Sequence, residues 1–184
     1  ELFFSQRFNF PSALVPILID NKVSKDNFEL FLDPKIKNFL PDPSIFIDMD
    51  KTVKRIANEI ENKNPIGVFG DYDVDGATSA ALLKIFVQYF GIEVHIHIPD
   101  RFLEGYGPNI SALNSLVSKG SNLIITVDCG INSHEPLKEL NKTDIDCIII
   151  DHHTPDDDLP PAFSIVNPKR KENGIEYHLS LIHI

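Results

Sequence analysis

At 184 residues, 42% hydrophobic and 24% charged, the chain has the composition of a globular domain large enough to bury a real core. Its formal net charge of −10 argues against a basic nucleic-acid surface on these residues alone, and no apolar run approaches the roughly 20 residues that a membrane span needs. Cys129 and Cys147 make neither a disulfide framework nor a CxxC pair, as expected of a protein of the reducing cytoplasm.

Residues 1 to 60 read as a helical extension with several breaks. "SALVPILIDNKV" and "DNFELFLDP" are short apolar-periodic pieces, and "FLPDPSIF" is a turn punctuated by prolines. "DMDKTVKRIANEIENK" predicts a helix with Val53, Ile56, Ala57 and Ile60 on one face, capped by Asp48 or Asp50. From Ile66 the rhythm changes to short apolar strands alternating with amphipathic helices. "IGVFG" predicts a strand, "GATSAALLKIFVQYF" a helix and "EVHIHIP" a second strand. "NISALNSLVSKG" predicts a helix stopped by Gly120, "NLIITV" a strand, "EPLKELNKT" a helix, and "DCIIID" and "FSIVNP" two more strands. Strand and helix alternating in this way predict an α/β fold, a mainly parallel, doubly wound sheet flanked by helices. The near-continuous apolar strands fit a sheet covered on both faces.

Three of these strands run straight into an aspartate: Asp71, Asp128 and Asp151, the last followed by His152 and His153. The carboxyl ends of the strands form the ligand crevice of an open parallel sheet, so groups distant in sequence are expected to meet there. One aspartate after a strand can simply cap the next helix. Three of them, with Asp73, Asp75 and two adjacent histidines, exceed what capping requires. Like charges this close raise one another's pKa unless a cation separates them. "DYDVDG" opens like a calcium-binding EF-hand loop, but the twelfth position is Leu82 and not a bidentate glutamate, and a strand precedes it. Carboxylates with imidazole suit Mn²⁺ or Mg²⁺, and there are enough of them to hold two ions bridged by one aspartate. Two such ions, roughly 3.5–4 Å apart, form a clamp for phosphoryl chemistry. Gly76 is expected to permit the turn from loop into helix, whose N-terminus beside Thr78 and Ser79 would favour a phosphate.

"DYDVDG", "TVDCG" and "DHH", in this order, resemble the first three motifs of the DHH phosphoesterase family. "IPDRFLEGYGPN", "LPPAFSIVNPKR" and the extension "FLPDPSIFIDMDKTVKRIANEI" are similar to segments of its RecJ-type branch, single-strand-specific exonucleases. The resemblance implies two-metal, Mn²⁺- or Mg²⁺-dependent hydrolysis of phosphodiesters, here 5′→3′ exonuclease action on single-stranded DNA in recombination and repair. It implies that Asp73 and Asp75 each ligate a different ion, that Asp128 bridges them, and that His152 binds the second, with Asp71 a further candidate. Asp151 would orient the cluster and His153 would meet the scissile phosphate. In the glycine-rich loop, Arg101 could reach phosphate and Tyr106 could stack on a base. His95, His97 and Cys129 are expected to be structural. The implied setting is a cytoplasmic monomer acting on single-stranded DNA, with a single-strand-binding protein as a further partner.

The family pattern is expected to end within the chain, dividing it into an extension (1–60), a truncated DHH domain (61–178) and a tail (179–184) unlike the family. Glu1 stands where a natural start would carry Met, so both ends are expected to be cut, with a fourth metal-binding motif missing and little activity in this piece alone. Two other readings stay open: a DHH phosphoesterase acting on short oligonucleotides or cyclic dinucleotides, and a non-catalytic DHH scaffold.

Overall fold

The computed structural model describes residues 2–173 and 179–184, so the expected domain end at His178 lies outside the described residues. The chain forms two compact units, Glu1–Pro41 and Asp42–Ile184. In the first, α1 (Leu2–Arg7), α2 (Val15–Asp20) and α3 (Phe28–Leu32) surround a small core of Phe4, Val15, Leu18, Val23 and Phe28. Phe8 tilts against Phe28 with ring centroids 4.4 Å apart, and Pro16 sits in the first turn of α2, where no backbone donor is needed.

The second unit carries β1 (Ile66–Gly70), β2 (Val94–His97), β3 (Leu123–Val127), β4 (Asp146–Ile150) and β5 (Ser164–Val166). They pair in the order β2-β1-β3-β4-β5, every pairing parallel. All five residues of β1 and of β3 are buried, as the continuous apolar runs predicted. The helices are α4 (Met49–Asn62), α5 (Val74–Tyr89), α6 (Ile110–Ser118) and α7 (His134–Leu140). Alternate strand residues feed two cores. Val68, Ile125 and Ile148 meet Ala80 and Val87 of α5 and Ile56 and Ile60 of α4; Phe69, Ile124 and Ile149 meet Leu113 and Leu116 of α6 and Leu137 and Leu140 of α7. Helices on both faces make the sheet doubly wound. Among the described residues no helix is long and apolar enough to cross a membrane.

Helix α4, grouped with the extension on sequence grounds, packs within this second unit, and only part of the expected face is used: Ile56 and Ile60 pack against the core while Val53 does not. Its fully buried residues are Thr52, whose hydroxyl shares a 2.7 Å hydrogen bond with Ser164 of β5, and Glu59, paired with Arg55. Val53 is 55% exposed; Ile56, Ala57 and Ile60 turn towards Leu83, Phe86 and Phe90 of α5 and its end, lining an apolar cavity of about 530 Å³. Asp48 stands at the N-cap position in the left-handed region (φ 64°), yet its carboxylate caps nothing. It accepts instead from Arg170 Nη1 (2.9 Å) and Ile165 N (3.1 Å), tying the helix start to β5. A buried polar network thus packs alongside the hydrophobic stripe, because β5 offers donors and acceptors that only polar partners can satisfy.

Candidate metal centre

The strand order reverses between β1 and β3, the point where open α/β sheets leave a crevice. Register places the acids there. Gly70 pairs with Val127 and Val127 with Ile150, so Asp71, Asp128 and Asp151 follow at the same level on three adjacent strands. The ladder continues beneath them: Asp71 N donates to Val127 O, Asp128 N to Ile150 O and Asp151 N to Val166 O.

Asp128 is 1% exposed, and neither of its carboxylate oxygens receives an aligned hydrogen bond among the described residues. His152 Nε2 lies 3.1 Å from Oδ1 but out of line for donation. A bare, buried carboxylate costs several kcal/mol unless something positive meets it, on the order of magnitude for a desolvated ion. Its carboxyl is accordingly pushed up to about 8, by burial first and then by the Asp73 carboxylate beside it. Asp71 is buried too, with Oδ1 unpartnered and its carboxyl raised, again chiefly by burial. Of the five aspartates at the crevice only Asp73 caps its helix: Oδ1 accepts from Gly76 N at 2.9 Å, and this bond holds its carboxyl below the usual range.

Two ligand groups result. Asp71, Asp73 and Asp128 can each aim one oxygen into a common space, their ligand atoms within 4.8 Å of one another; Asp128, His152 and His153 do the same. Asp128 belongs to both. Carboxylates outnumber imidazoles and no thiolate takes part, a donor set for Mn²⁺ or Mg²⁺. Asp75 stands outside both groups: its Oδ2 accepts from Leu181 N at 2.9 Å and lies 3.9 Å from His152 Nε2.

The DHH turn is built to hold its histidines. Asp151 is fully buried, and unlike Asp128 it is saturated: Oδ1 accepts from His152 N (2.7 Å), His153 N (3.0 Å) and His153 Nδ1 (2.8 Å), and Oδ2 from Ile131 N (3.1 Å). These bonds keep its carboxyl low despite burial, and Asp151 in turn raises the His153 imidazole. With Nδ1–H given to Asp151, His153 presents Nε2. His152 faces Leu179 O with Nδ1 at 2.9 Å, which leaves its Nε2 towards Asp128. Asn167, 1% exposed, locks the turn from β5 by donating to His153 O at 2.9 Å.

Asp128 adopts a left-handed backbone (φ 64°), a conformation that aspartate tolerates better than most side chains. Gly130 follows at φ 105°, where a Cβ would stand 2.6 Å from Thr126 Oγ1. "TVDCG" is therefore a tight turn that swings one carboxylate into the crevice. Cys129 within it is buried and inert, its thiol donating to Val127 O and pushed up by burial.

The glycine-rich loop reaches the centre through Tyr106, whose hydroxyl donates to Asp128 O (3.3 Å) and lies 3.2 Å from His153 Nδ1. Arg101 forms no ion pair among the described residues; its guanidinium lies 5.4 Å from the ring centroid of Tyr72. Sequence reasoning passed over Tyr72, Asn167 and Glu104. Glu104 anchors the loop: its carboxylate accepts from Asp100 N (2.9 Å) and Asn109 Nδ2 (3.0 Å) and meets His97 Nε2 at 2.8 Å, with His97 stacked on Phe69. The only signal for it was an acid inside a glycine-rich turn. Those bonds hold Glu104 down to about 2, so the anchor persists throughout the physiological range. Glu104→Ala is expected to leave Mn²⁺ binding intact while accelerating amide exchange over residues 99–109; unchanged exchange there would show that the anchor is dispensable. His95 and His97 belong to neither ligand group among the described residues.

Comparison with known proteins supplies the remaining observations. The model of the DHH family, N-terminal domain, matches residues 65–181, running into the segment 179–184 that the sequence reading set apart. The chain is 40% identical over 145 residues, 79% of its length, to the single-stranded-DNA-specific exonuclease RecJ of Bacillus subtilis, of which this covers 18%. A crystal structure of exonuclease RecJ bound to manganese superposes with a TM-score of 0.62 at 35% identity, covering 67% of this chain and 31% of that one. RecJ from Thermus thermophilus in complex with Mn²⁺ gives 0.64 at 28% identity, covering 82% and 20%. The chain thus spans about a fifth of the length of the curated relatives it matches.

Proposed function

The chain belongs to the DHH family, and from that premise we propose that it holds two Mn²⁺ or Mg²⁺ ions for the 5′→3′ exonucleolytic hydrolysis of single-stranded DNA in recombination and repair. One observation carries the reading: Asp128, buried, with both oxygens bare, is shared by two ligand groups. Asp71 and Asp73 would complete one site and His152 the other, with Asp75 within reach of the second. Ions held there would supply Lewis acidity towards the phosphate and a nucleophile from water near neutral pH. Asp151 fixes the imidazole of His153 so that Nε2 faces the scissile phosphate. Arg101 meets a neighbouring phosphate, and Tyr106 fixes the wall of the site while its half-exposed ring remains open to a base. The low net cationic character of the crevice fits a substrate drawn by the ions more than by lysine and arginine. We place this activity in the cytoplasm, in a monomer, with a single-strand-binding protein as partner; two free, buried cysteines support a reducing compartment.

Mn²⁺ titration of the chain by calorimetry should give two sites, and Mn²⁺-dependent release of mononucleotides from 5′-labelled single-stranded oligonucleotides should exceed hydrolysis of dinucleotides. Preference for dinucleotides would favour a short-oligonucleotide phosphoesterase. Two bound ions with no hydrolysis of either is the little activity expected of this piece alone; the same absence in a chain as long as the curated relatives would leave a metal-holding scaffold.

A further inference from the structure

At the tip of the loop between β2 and α6, Phe102 is 94% and Leu103 86% exposed. They are not on a loose strand of chain. Asp100 Oδ1 accepts from Phe102 N (2.8 Å) and Leu103 N (3.1 Å), Asp100 O accepts from Glu104 N (2.8 Å), and Glu104 is anchored as described. An organised turn therefore presents two large apolar side chains to water in the loop whose Tyr106 reaches the metal centre.

We propose that Phe102, with Leu103 alongside, is a stacking platform for an unpaired nucleobase of the strand whose phosphate lies at the metal centre; the proposal rests on the exonuclease reading above. Its position follows from contacts. From His153 the line runs to Tyr106, ring centroids 5.8 Å apart, then to Tyr72 at 6.5 Å, then to Arg101 above Tyr72 and on to its neighbour Phe102. That row alternates flat rings with one cation, the combination that single strands use when bases stack and phosphates pair. Electrostatics points the same way. With a net charge of −10 and five aspartates at the crevice, affinity for a polyanion beyond the ions and Arg101 must draw on uncharged surface, and a base face is uncharged. Two side chains match the footprint of one base; a protein partner would need a wider apolar area. The platform also selects. A paired base reaches it only after leaving its stack, at an expense of a few kcal/mol by the usual estimate for base extrusion, so unpaired strands are favoured.

The test is binding of a single-stranded oligonucleotide carrying 2-aminopurine to the 184-residue chain with Mn²⁺, followed by anisotropy and by quenching of the fluorescent base. Phe102→Ala should weaken binding about 5- to 150-fold, the factor corresponding to ~1–3 kcal/mol per stacked base. It should also abolish quenching, while Mn²⁺ uptake and weak binding to blunt duplex stay as in the wild type. Phe102→Trp should restore both affinity and quenching. Equal affinity of Phe102→Ala and wild type would overturn the platform and leave the exonuclease reading standing. A wild-type chain that takes up Mn²⁺ and binds no single strand would remove both.

Discussion

Replacing Asp128 by asparagine is expected to abolish Mn²⁺ uptake and at the same time to raise the melting temperature of the metal-free chain. Both effects come from one buried carboxylate with two unsatisfied oxygens. Without a cation, the folded state carries this group with its carboxyl near 8, against 3.8 for an unperturbed aspartate. Between those values the folded chain keeps a proton that the unfolded chain has lost. Its contribution to stability is therefore full below pH 4 and drains away as the pH rises towards 8. Asparagine is isosteric, tolerates the left-handed backbone at this position, and can donate to the Asp73 carboxylate. It should remove this pH slope and stabilise the metal-free chain at pH 7.5 by roughly 1–3 kcal/mol, the scale of one uncompensated buried polar group. Mn²⁺ affinity should fall by at least ~100-fold, since a shared ligand is lost and even supporting residues are worth 10–100-fold. Thermal melts in chelator and in Mn²⁺, from pH 5 to 9, decide it. An asparagine variant that melts lower than wild type in chelator at pH 7.5 would show that Asp128 has a partner of its own.

Gly76→Ala is expected to lower stability, against the ordinary sign of that exchange in a helix. Gly76 has no positive φ, and within a helix alanine is normally better than glycine by about 1 kcal/mol. Space decides instead. A Cβ at 76 would stand 2.6 Å from Asp71 N and 2.7 Å from Asp71 Cβ and O, so it meets backbone that cannot rotate away. This corrects the expectation that Gly76 serves conformational freedom; it serves the close approach of α5 to the end of β1. Overpacking of this kind costs about 1–3 kcal/mol. It also pushes Asp71 out of its ligand group, so Mn²⁺ stoichiometry should fall from two to one. A Gly76→Ala variant that melts higher and still binds two ions would sink the argument.

The strands were legible because each is an unbroken apolar run bounded by turn residues, and the acids because each run ends in one. Register was not legible: nothing local says that Gly70 stands beside Val127 and Val127 beside Ile150. Nor could local sequence separate Asp128 from Asp151. Both follow an apolar strand, but one is left bare by a left-handed turn and the other is filled by four donors, three of them from its own turn and one from Ile131. Helix α4 was legible only in part, for a related reason. Periodicity reports which face is apolar, whereas Thr52 and Asp48 are held by specific partners on β5 that lie more than a hundred residues away. Glu104, Tyr72 and Asn167 matter only through groups folded onto them, and single-residue chemistry carries no trace of that.

The three aspartates at one level on three neighbouring strands also fix when the centre can exist. Asp71, Asp128 and Asp151 are far apart along the chain and meet only after β1, β3 and β4 have paired in register. Pairings of such long range close late, after most of the loop entropy has been surrendered. A divalent ion finds a first ligand group only once β1 and β3, or β3 and β4, have paired, and the whole centre only when all three have. It cannot speed the search; it can only lengthen the life of what the search has found. Manganese should therefore leave the refolding rate where it is and slow unfolding, so that its whole benefit appears as persistence.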